Sequence, residues 1–258
     1  MTEIEKIAQS LWNAQISRSP IAPIRTLIGE SNIELAYQIQ QFNVNRVLNS
    51  GGKRVGAKIG LTSFSVQQQL GVSQPDFGIL FQHTQIPNGG SFPAIEILQP
   101  KAEAEIAFVL NKGINNRIED ISELISYIDT ICASIEIVGS RIENWNIRIT
   151  DTVADNASAS HFVFSDERIN PAGFDFEGCK MELFKNGELV SNGVGSACLG
   201  NPLNAVMWLA NTMIDFGTPL QMGDIILSGA LGPMISIHAG DDIRASVSGL
   251  GEVNLKFS

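Results

Sequence analysis

The sequence predicts an α+β fold in which a helical N-terminal part packs on a mostly β body. Apolar residues recur at helical spacing chiefly in the first third of the chain. From about residue 92, short strand signals follow one another without the regular strand–helix alternation of a parallel sheet. No GxGxxG follows a strand, which argues against a dinucleotide-binding doubly wound architecture. A length of 258 residues suits one large core or two small domains.

The elements follow in order. Ile4, Ile7, Ala8, Leu11, Trp12 and Ile16 form a helical stripe over Glu3 to Ser17. Ser19-Pro20-Ile21-Ala22-Pro23 is a connector. Ser31 to Glu34 has capping-box spacing and opens a second helix, with Leu35, Ile39, Phe42 and Leu48 apolar and Gly51-Gly52 as its stop. Arg54 to Leu61 reads as a short strand whose Gly56 and Gly60 imply close backbone approach. Ser63 to Leu70 reads as a short helix closed by Gly71, and Gln74 to Gly78 as a turn leading into Ile79-Leu80-Phe81. Strands are expected at 102–110, 134–139, 161–164, 180–184, 188–190, 224–227, 243–247 and 253–257. Asn186-Gly187 is a hairpin signal between two of them. Two helices interrupt, over Ile121 to Ala133 and Pro202 to Phe216. The second has Asn201 at its cap, Pro202 at N1 and Gly217 past its end.

Composition narrows the function. Hydrophobic residues make up 44% and charged residues 17%, with mean hydropathy +0.10, as in a well-buried globular chain. The formal charge of −10 repels phosphate backbones and offers no anchor for anionic lipid, so neither nucleic acid nor membrane is an expected partner. The N-terminus lacks the basic and apolar regions of a signal peptide, and the richest apolar stretch, Asp224 to His238, is broken by Gly, Ser and Pro. Cys132, Cys179 and Cys198 are odd in number with no CxxC pair, which fits buried thiols in a cytoplasmic protein.

The chemistry centres on Lys101 to Leu110. On a strand, Glu103 and Glu105 share a face that continues as Ala107 and Val109. Adjacent carboxylates on an apolar face repel and lose hydration, so they need a cation or a shared proton. Glu136 interrupts a second apolar strand. An isolated strand glutamate usually faces water, but two such features in apolar strands favour a site for a hard octahedral ion, Mg²⁺ or Mn²⁺. His83, His161 and His238 are too far apart to make a ligand motif. Lys58, mid-strand between Gly56 and Gly60, is either a snorkelling lysine or a buried cation facing an anion. Asp76 after Pro75 is either a turn cap or a loop acid/base. Asp151 to Ser158 offers polar groups among small residues, and Ser228 to Pro233 is a Gly-rich loop after a strand that can present N–H groups to an anion. No GxSxG elbow or Cys/His pairing argues for a covalent nucleophile.

Several blocks stand together: Gly56-Ala-Lys58-Ile-Gly60-Leu-Thr62, Gln67 to Gly78, Gln99 to Ile106 with its ExE pair, Glu136 to Arg141, Asp151 to Ser158 and Gly223 to Met234. In combination, from about residue 30 to the C-terminus, they resemble the 2-keto-4-pentenoate hydratase family, in the hydratase/decarboxylase branch of the fumarylacetoacetate hydrolase superfamily. The resemblance implies a mixed β-roll body over 76–258 with a helical part over 1–75. It implies a Mg²⁺ or Mn²⁺ site at Glu103, Glu105 and Glu136, with Lys58 and Asp76 as catalytic residues. Ser158 and the loop Ser228, Gly229, Ala230 and Leu231 would hold a small anionic 2-hydroxydienoate. It further implies a homo-oligomer, a pentamer or decamer, with association with the downstream aldolase of aromatic-compound catabolism as an option. Ser228 departs from the threonine common in the hydratases, and both keep a hydroxyl. A 4-oxalocrotonate-type decarboxylase on the same scaffold is the close alternative. A non-catalytic metal-dependent ligand-binding protein is the other, against which the joint presence of Lys58 and Asp76 weighs.

Overall fold

The computed structural model describes residues 1–64, 67–68 and 72–258. Helix α1 (Glu3–Ser17) starts at a capping box between Thr2 and Glu5 and buries Ile7, Ala8, Leu11 and Ala14. A short helix, α2 (Arg25–Ile28), absent from the sequence reading, follows the connector Ser19 to Pro23. Helix α3 (Ile33–Asn49) is capped by the Asn32 side chain, which accepts from Leu35 N–H. It packs on α1 and buries Ala36, Tyr37, Ile39, Gln40 and Val44.

Two sheets form the body. The larger joins β1 (Arg54–Gly60), β2 (Asp76–Phe81), β4 (Lys101–Leu110), β5 (Ile128–Val138), β6 (Ala159–Phe164) and β9 (Ile225–Leu227) in the order β2-β1-β9-β4-β5-β6, with β10 (Ile235–Ser236) pairing off β4. Only β1 and β9 run parallel in it. The smaller has the order β3-β12-β11-β7-β8, from β3 (Ser91–Phe92), β7 (Lys180–Lys185), β8 (Glu188–Val194), β11 (Asp242–Val247) and β12 (Gly251–Phe257). Helices α4 (Ile121–Ile125), α5 (Ile149–Ala154) and α6 (Pro202–Asp215) complete the fold. The α+β reading and the mixed sheets hold, and β1, within the N-terminal 1–75, is an interior strand of the larger sheet. No helix among the described residues is long and apolar enough to cross a membrane.

The larger sheet is buried on both faces. One carries Ala104, Ile106, Phe108, Ile131, Ile135 and Ile137 into the main core. The other carries a smaller cluster, Leu80, Ala107, Cys132, Phe162, Ile225 and Leu227. This double burial explains a correction. The helix expected over Ile121 to Ala133 stops at Ile125, and β5 begins at Ile128. A strand buried on both faces reads as an unbroken apolar run, which periodicity alone cannot separate from a buried helix. A second correction concerns Asp76, which opens β2 opposite Gly60 and is not in a turn. The segment Asp151 to Ser158 is the end of helix α5 followed by a tight left-handed run. The helix expected over 63–70 lies largely outside the described residues.

Candidate active site and metal centre

Register brings the candidate acids together. In the β4–β5 pair Glu103 lies opposite Glu136, and Glu105 opposite Ser134. Cross-strand partners share a face, so Glu103, Glu105 and Glu136 converge, and one oxygen from each falls within 4.8 Å of the others. Glu105 and Glu136 are fully buried, while Glu103 sits at the partly exposed rim. On β1, Lys58 projects to the same region and its Nζ lies 3.2 Å from Glu136 Oε1. Asp76 joins from β2, 1% exposed.

The close approach depends on Gly60. A Cβ there would lie 2.2 Å from Asp76 Oδ1 and 3.3 Å from Lys58 Nζ, so a larger residue would push the Asp76 carboxyl from its place beside Lys58. Helix α3 fixes the same strand end. Gln40 donates to the carbonyls of Phe77 and Val153 at 2.9 and 3.0 Å, and Tyr37 stacks on Phe77 with centroids 4.8 Å apart.

The loop after β9 reaches the site through its backbone. Gly229 N–H donates to Glu105 Oε2 at 2.8 Å. The Ser228 hydroxyl accepts from Ile106 N–H and donates to the Gly229 carbonyl, and Leu231 N–H donates to the Ala104 carbonyl. The hydroxyl of Ser228 is thus committed to tying the loop to β4, while Ala230 lies partly exposed beside it.

Ser158 arrives by an unusual path. Asn156, Ala157 and Ser158 all have left-handed φ, 54°, 51° and 58°, a conformation costing a non-glycine residue roughly 1–2 kcal/mol. The strain is held by side chains. Asn156 brackets Ile79, accepting from its N–H at 2.8 Å and donating to its carbonyl at 3.0 Å. Asp155 forms a buried ion pair with Arg141. Ser158 Oγ lies 3.3 Å from Thr152 Oγ1, which lies 3.3 Å from Asp76 Oδ2. Thr152 is the member of the site that sequence reasoning missed. It lies in the run of polar groups among small residues over Asp151 to Ser158, but no spacing rule links residues 76, 152 and 158.

The electrostatics are those of an anion-crowded interior. Burial, opposed by Lys58 and aided by repulsion from Glu103, pushes the Glu136 carboxyl up to about 7. Burial, then repulsion from Glu136 and Glu103, holds Glu105 well above the carboxylate range. Glu103 is raised by burial against the pull of Lys58 and Lys101, and Asp76 by burial against Lys58 and Thr152. Burial alone would lower Lys58, but Glu136, Asp76, Glu103 and Glu105 outweigh it and raise its pKa. Glu105 Oε1, Glu136 Oε2, Asp76 Oδ1 and Ser134 Oγ are buried with no hydrogen-bond partner among the described residues. Glu105 and Glu136, with unpartnered oxygens, converge with Glu103 within 4.8 Å, and an all-oxygen set of this kind could hold a hard dication.

Residues 58–258 match the fumarylacetoacetate (FAA) hydrolase C-terminal model. The chain is 47% identical to a 2-keto-4-pentenoate hydratase of Paraburkholderia xenovorans (strain LB400), covering 98% of this chain and 94% of that one. It is 39% identical to a 2-hydroxyhexa-2,4-dienoate hydratase of Comamonas testosteroni, covering 99% and 97%. Among solved structures it resembles a 4-oxalocrotonate decarboxylase from Pseudomonas putida G7, complexed with magnesium and adipate. The TM-score is 0.95 and the identity 30%, over 100% of this chain and 99% of that one. The β-roll carrying the three glutamates is therefore a shared inheritance, and the chain belongs to the fumarylacetoacetate hydrolase family, within its group of 2-keto-4-pentenoate hydratases.

Proposed function

We propose that this chain adds water to 2-hydroxypenta-2,4-dienoate to give 4-hydroxy-2-oxopentanoate, in the catabolism of aromatic ring-cleavage products. The convergence of Glu103, Glu105 and Glu136 within 4.8 Å, beside buried Lys58 and Asp76, carries this reading. The three glutamates would hold the divalent cation, Mg²⁺ or Mn²⁺. When bound, it supplies Lewis acidity toward the substrate's C1 carboxylate and C2 oxygen.

The chain's own residues do the rest. Lys58 offsets negative charge developing on the C2 oxygen, and its pairing with Glu136 keeps it charged and in place. Ketonisation of the dienol loses the C2 hydroxyl proton to solvent and needs one at C5, hydration at C4 needs one removed from water, and collapse of the enolate needs one at C3. Asp76 is the group placed to move them, since its raised pKa lets it both hold and release a proton. Ser158 and the backbone at Gly229 and Ala230 border the space where the substrate lies. The wall beyond, with Leu80, Phe162 and Leu227, is apolar, as the hydrocarbon end of a dienoate requires. The same reading has the chain work as a homo-oligomer that delivers a 4-hydroxy-2-oxo acid to an aldolase.

Loss of the dienoate absorbance on adding protein and Mg²⁺ or Mn²⁺, without release of CO₂, is the expected result. The structural likeness to the decarboxylase favours one second reading, decarboxylation of 4-oxalocrotonate. Release of CO₂ from that substrate, with no turnover of the dienoate, would replace the first reading by the second.

A further inference from the structure

Thr152 sits between two groups of the site. Its hydroxyl is 3.3 Å from Asp76 Oδ2 on one side and 3.3 Å from Ser158 Oγ on the other. All three residues are buried, with exposures of 1% for Asp76, 4% for Thr152 and 4% for Ser158. The arrangement is held from outside. Helix α5 carries Thr152, Gln40 ties the end of that helix to β2, and the left-handed run at 156–158 turns Ser158 back toward Thr152.

The donor order in this chain follows from proton counting. An ionised carboxylate only accepts, so while Asp76 is charged Thr152 must donate to it. Thr152 has one hydrogen, so it must then accept from Ser158. When Asp76 holds a proton the chain can run the other way, from Asp76 to Thr152 to Ser158, and the Ser158 hydrogen is free to point elsewhere. The other oxygen, Asp76 Oδ1, lies on the Gly60 and Lys58 side with no hydrogen-bond partner. One carboxyl thus has two outlets on opposite sides.

We propose that Thr152 is a positioning residue at the centre of a hydroxyl relay, through which Asp76 exchanges protons with the attacking water at Ser158 while Oδ1 serves the substrate. The relay rests on the reading of Asp76 as the proton carrier of a hydratase. The water oxygen bonds to C4, and the C3–C4 π electrons move toward the C2 oxygen. The water proton passes to Ser158, the Ser158 proton to Thr152, and the Thr152 proton to Asp76 Oδ2. Each hydroxyl loses one hydrogen as it gains one. Asp76 alone ends with an added proton; a half-turn about its Cβ–Cγ bond carries the protonated oxygen to the Oδ1 side, where it gives that proton to C3 as the enolate returns to the ketone. No other reactant is needed.

The test is a double-mutant cycle on the metal-loaded enzyme with the dienoate. Thr152→Val keeps shape and removes the hydroxyl, and is expected to lower kcat by about tenfold or more while KM stays within about threefold. Thr152→Ser should recover most of that loss. In an Asp76→Asn background, Thr152→Val should add little, because the relay then has no terminus. A wild-type kcat in Thr152→Val overturns the relay, as does a Thr152→Ser variant as slow as Thr152→Val. So does a further loss of equal size on Asp76→Asn. Should Thr152→Val not fold, Ser158→Ala breaks the outer link and leaves the Thr152–Asp76 contact, and a wild-type kcat there also overturns it. If Asp76→Asn itself keeps kcat, the failure lies with the proton-carrier reading.

Discussion

Replacing Glu105 by Gln should stabilise the metal-free protein and abolish its turnover. Three carboxyl oxygens lie within 4.8 Å of one another. Two like charges at that separation repel by about 3 kcal/mol at an effective dielectric near 20. The introduced amide keeps an oxygen for Gly229 N–H, which Glu105 now binds at 2.8 Å, so little is lost on that side. The variant also forgoes attraction to Lys58, which leaves a net gain of roughly 1–2 kcal/mol, or about 2–8 °C in melting midpoint. The gain depends on pH with a fixed sign. The Glu136 carboxyl is raised from 4.5 to about 7, so between those values the folded chain keeps a proton that the unfolded chain has lost. Stability contributed by that group is full below 4.5 and falls as pH rises through 7, by about 1.4 kcal/mol per unit. The raised pKa of Glu105 acts in the same direction. Thermal unfolding in chelator should therefore show Glu105→Gln above wild type at pH 8, with the gap closing by pH 5. Saturating Mg²⁺ or Mn²⁺ should reverse the order, since a ligand at a hundred times its Kd adds about 2.7 kcal/mol to the chain that binds it. A variant less stable than wild type in chelator at pH 8, or a gap that is the same at both pH values, would refute the crowded-carboxylate reasoning.

Other perturbations probe the remaining parts. Asp76→Asn should reduce kcat by about a hundredfold or more with substrate affinity nearly unchanged, and an unchanged kcat would clear Asp76 of proton transfer. Gly60→Ala puts a methyl 2.2 Å from Asp76 Oδ1; steady-state kinetics should show a kcat loss on the order of a hundredfold from misplacing the carboxyl. His161 is held down to about 4 by burial, with His83 and Arg141 adding repulsion. The neutral ring's contribution is full above pH 6.5 and is lost as pH falls through about 4, roughly 3 kcal/mol in all. Urea denaturation of His161→Gln against wild type should show that difference growing toward acid, and parallel profiles would contradict it.

Local chemistry made much of this molecule legible in the sequence. Asn201 caps α6 where its place before Pro202 predicts, while α3 starts from Asn32 and not from the capping box at Ser31 to Glu34, and the Thr2 cap of α1 goes beyond the sequence reading. The alternation of β4 put Glu103 and Glu105 on one face before any partner strand was known. Three things were hidden because they depend on pairing. The opposition of Glu103 to Glu136 is a matter of register, which no single strand reveals. The nature of β5 was masked because a neighbour covers each of its faces. Thr152 lies in a run that the sequence marks as polar, but nothing singles it out there, since its partners lie 76 and 6 residues away along the chain.

The N-terminal helices have a part in the chemistry that composition alone would not suggest. β2 is the edge strand of the larger sheet, its first residue is Asp76, and beyond β1 its backbone is held by Asn156 at Ile79 and by α3 at Phe77. Edge strands open easily, and a buried acid on one would hydrate and lose its raised pKa. Gln40 closes that route by bonding two carbonyls that α5 and β2 each leave free, and Tyr37 covers Phe77 from above. The same glutamine thereby sets the spacing between Thr152's helix and Asp76's strand. On the proposed roles, a chain that kept Glu103, Glu105 and Glu136 but lost this clamp is expected to retain cation binding and lose the proton chemistry. The proposed cation site and proton carrier should therefore be separable in stability, cation binding surviving a Gln40→Ala change that lowers turnover.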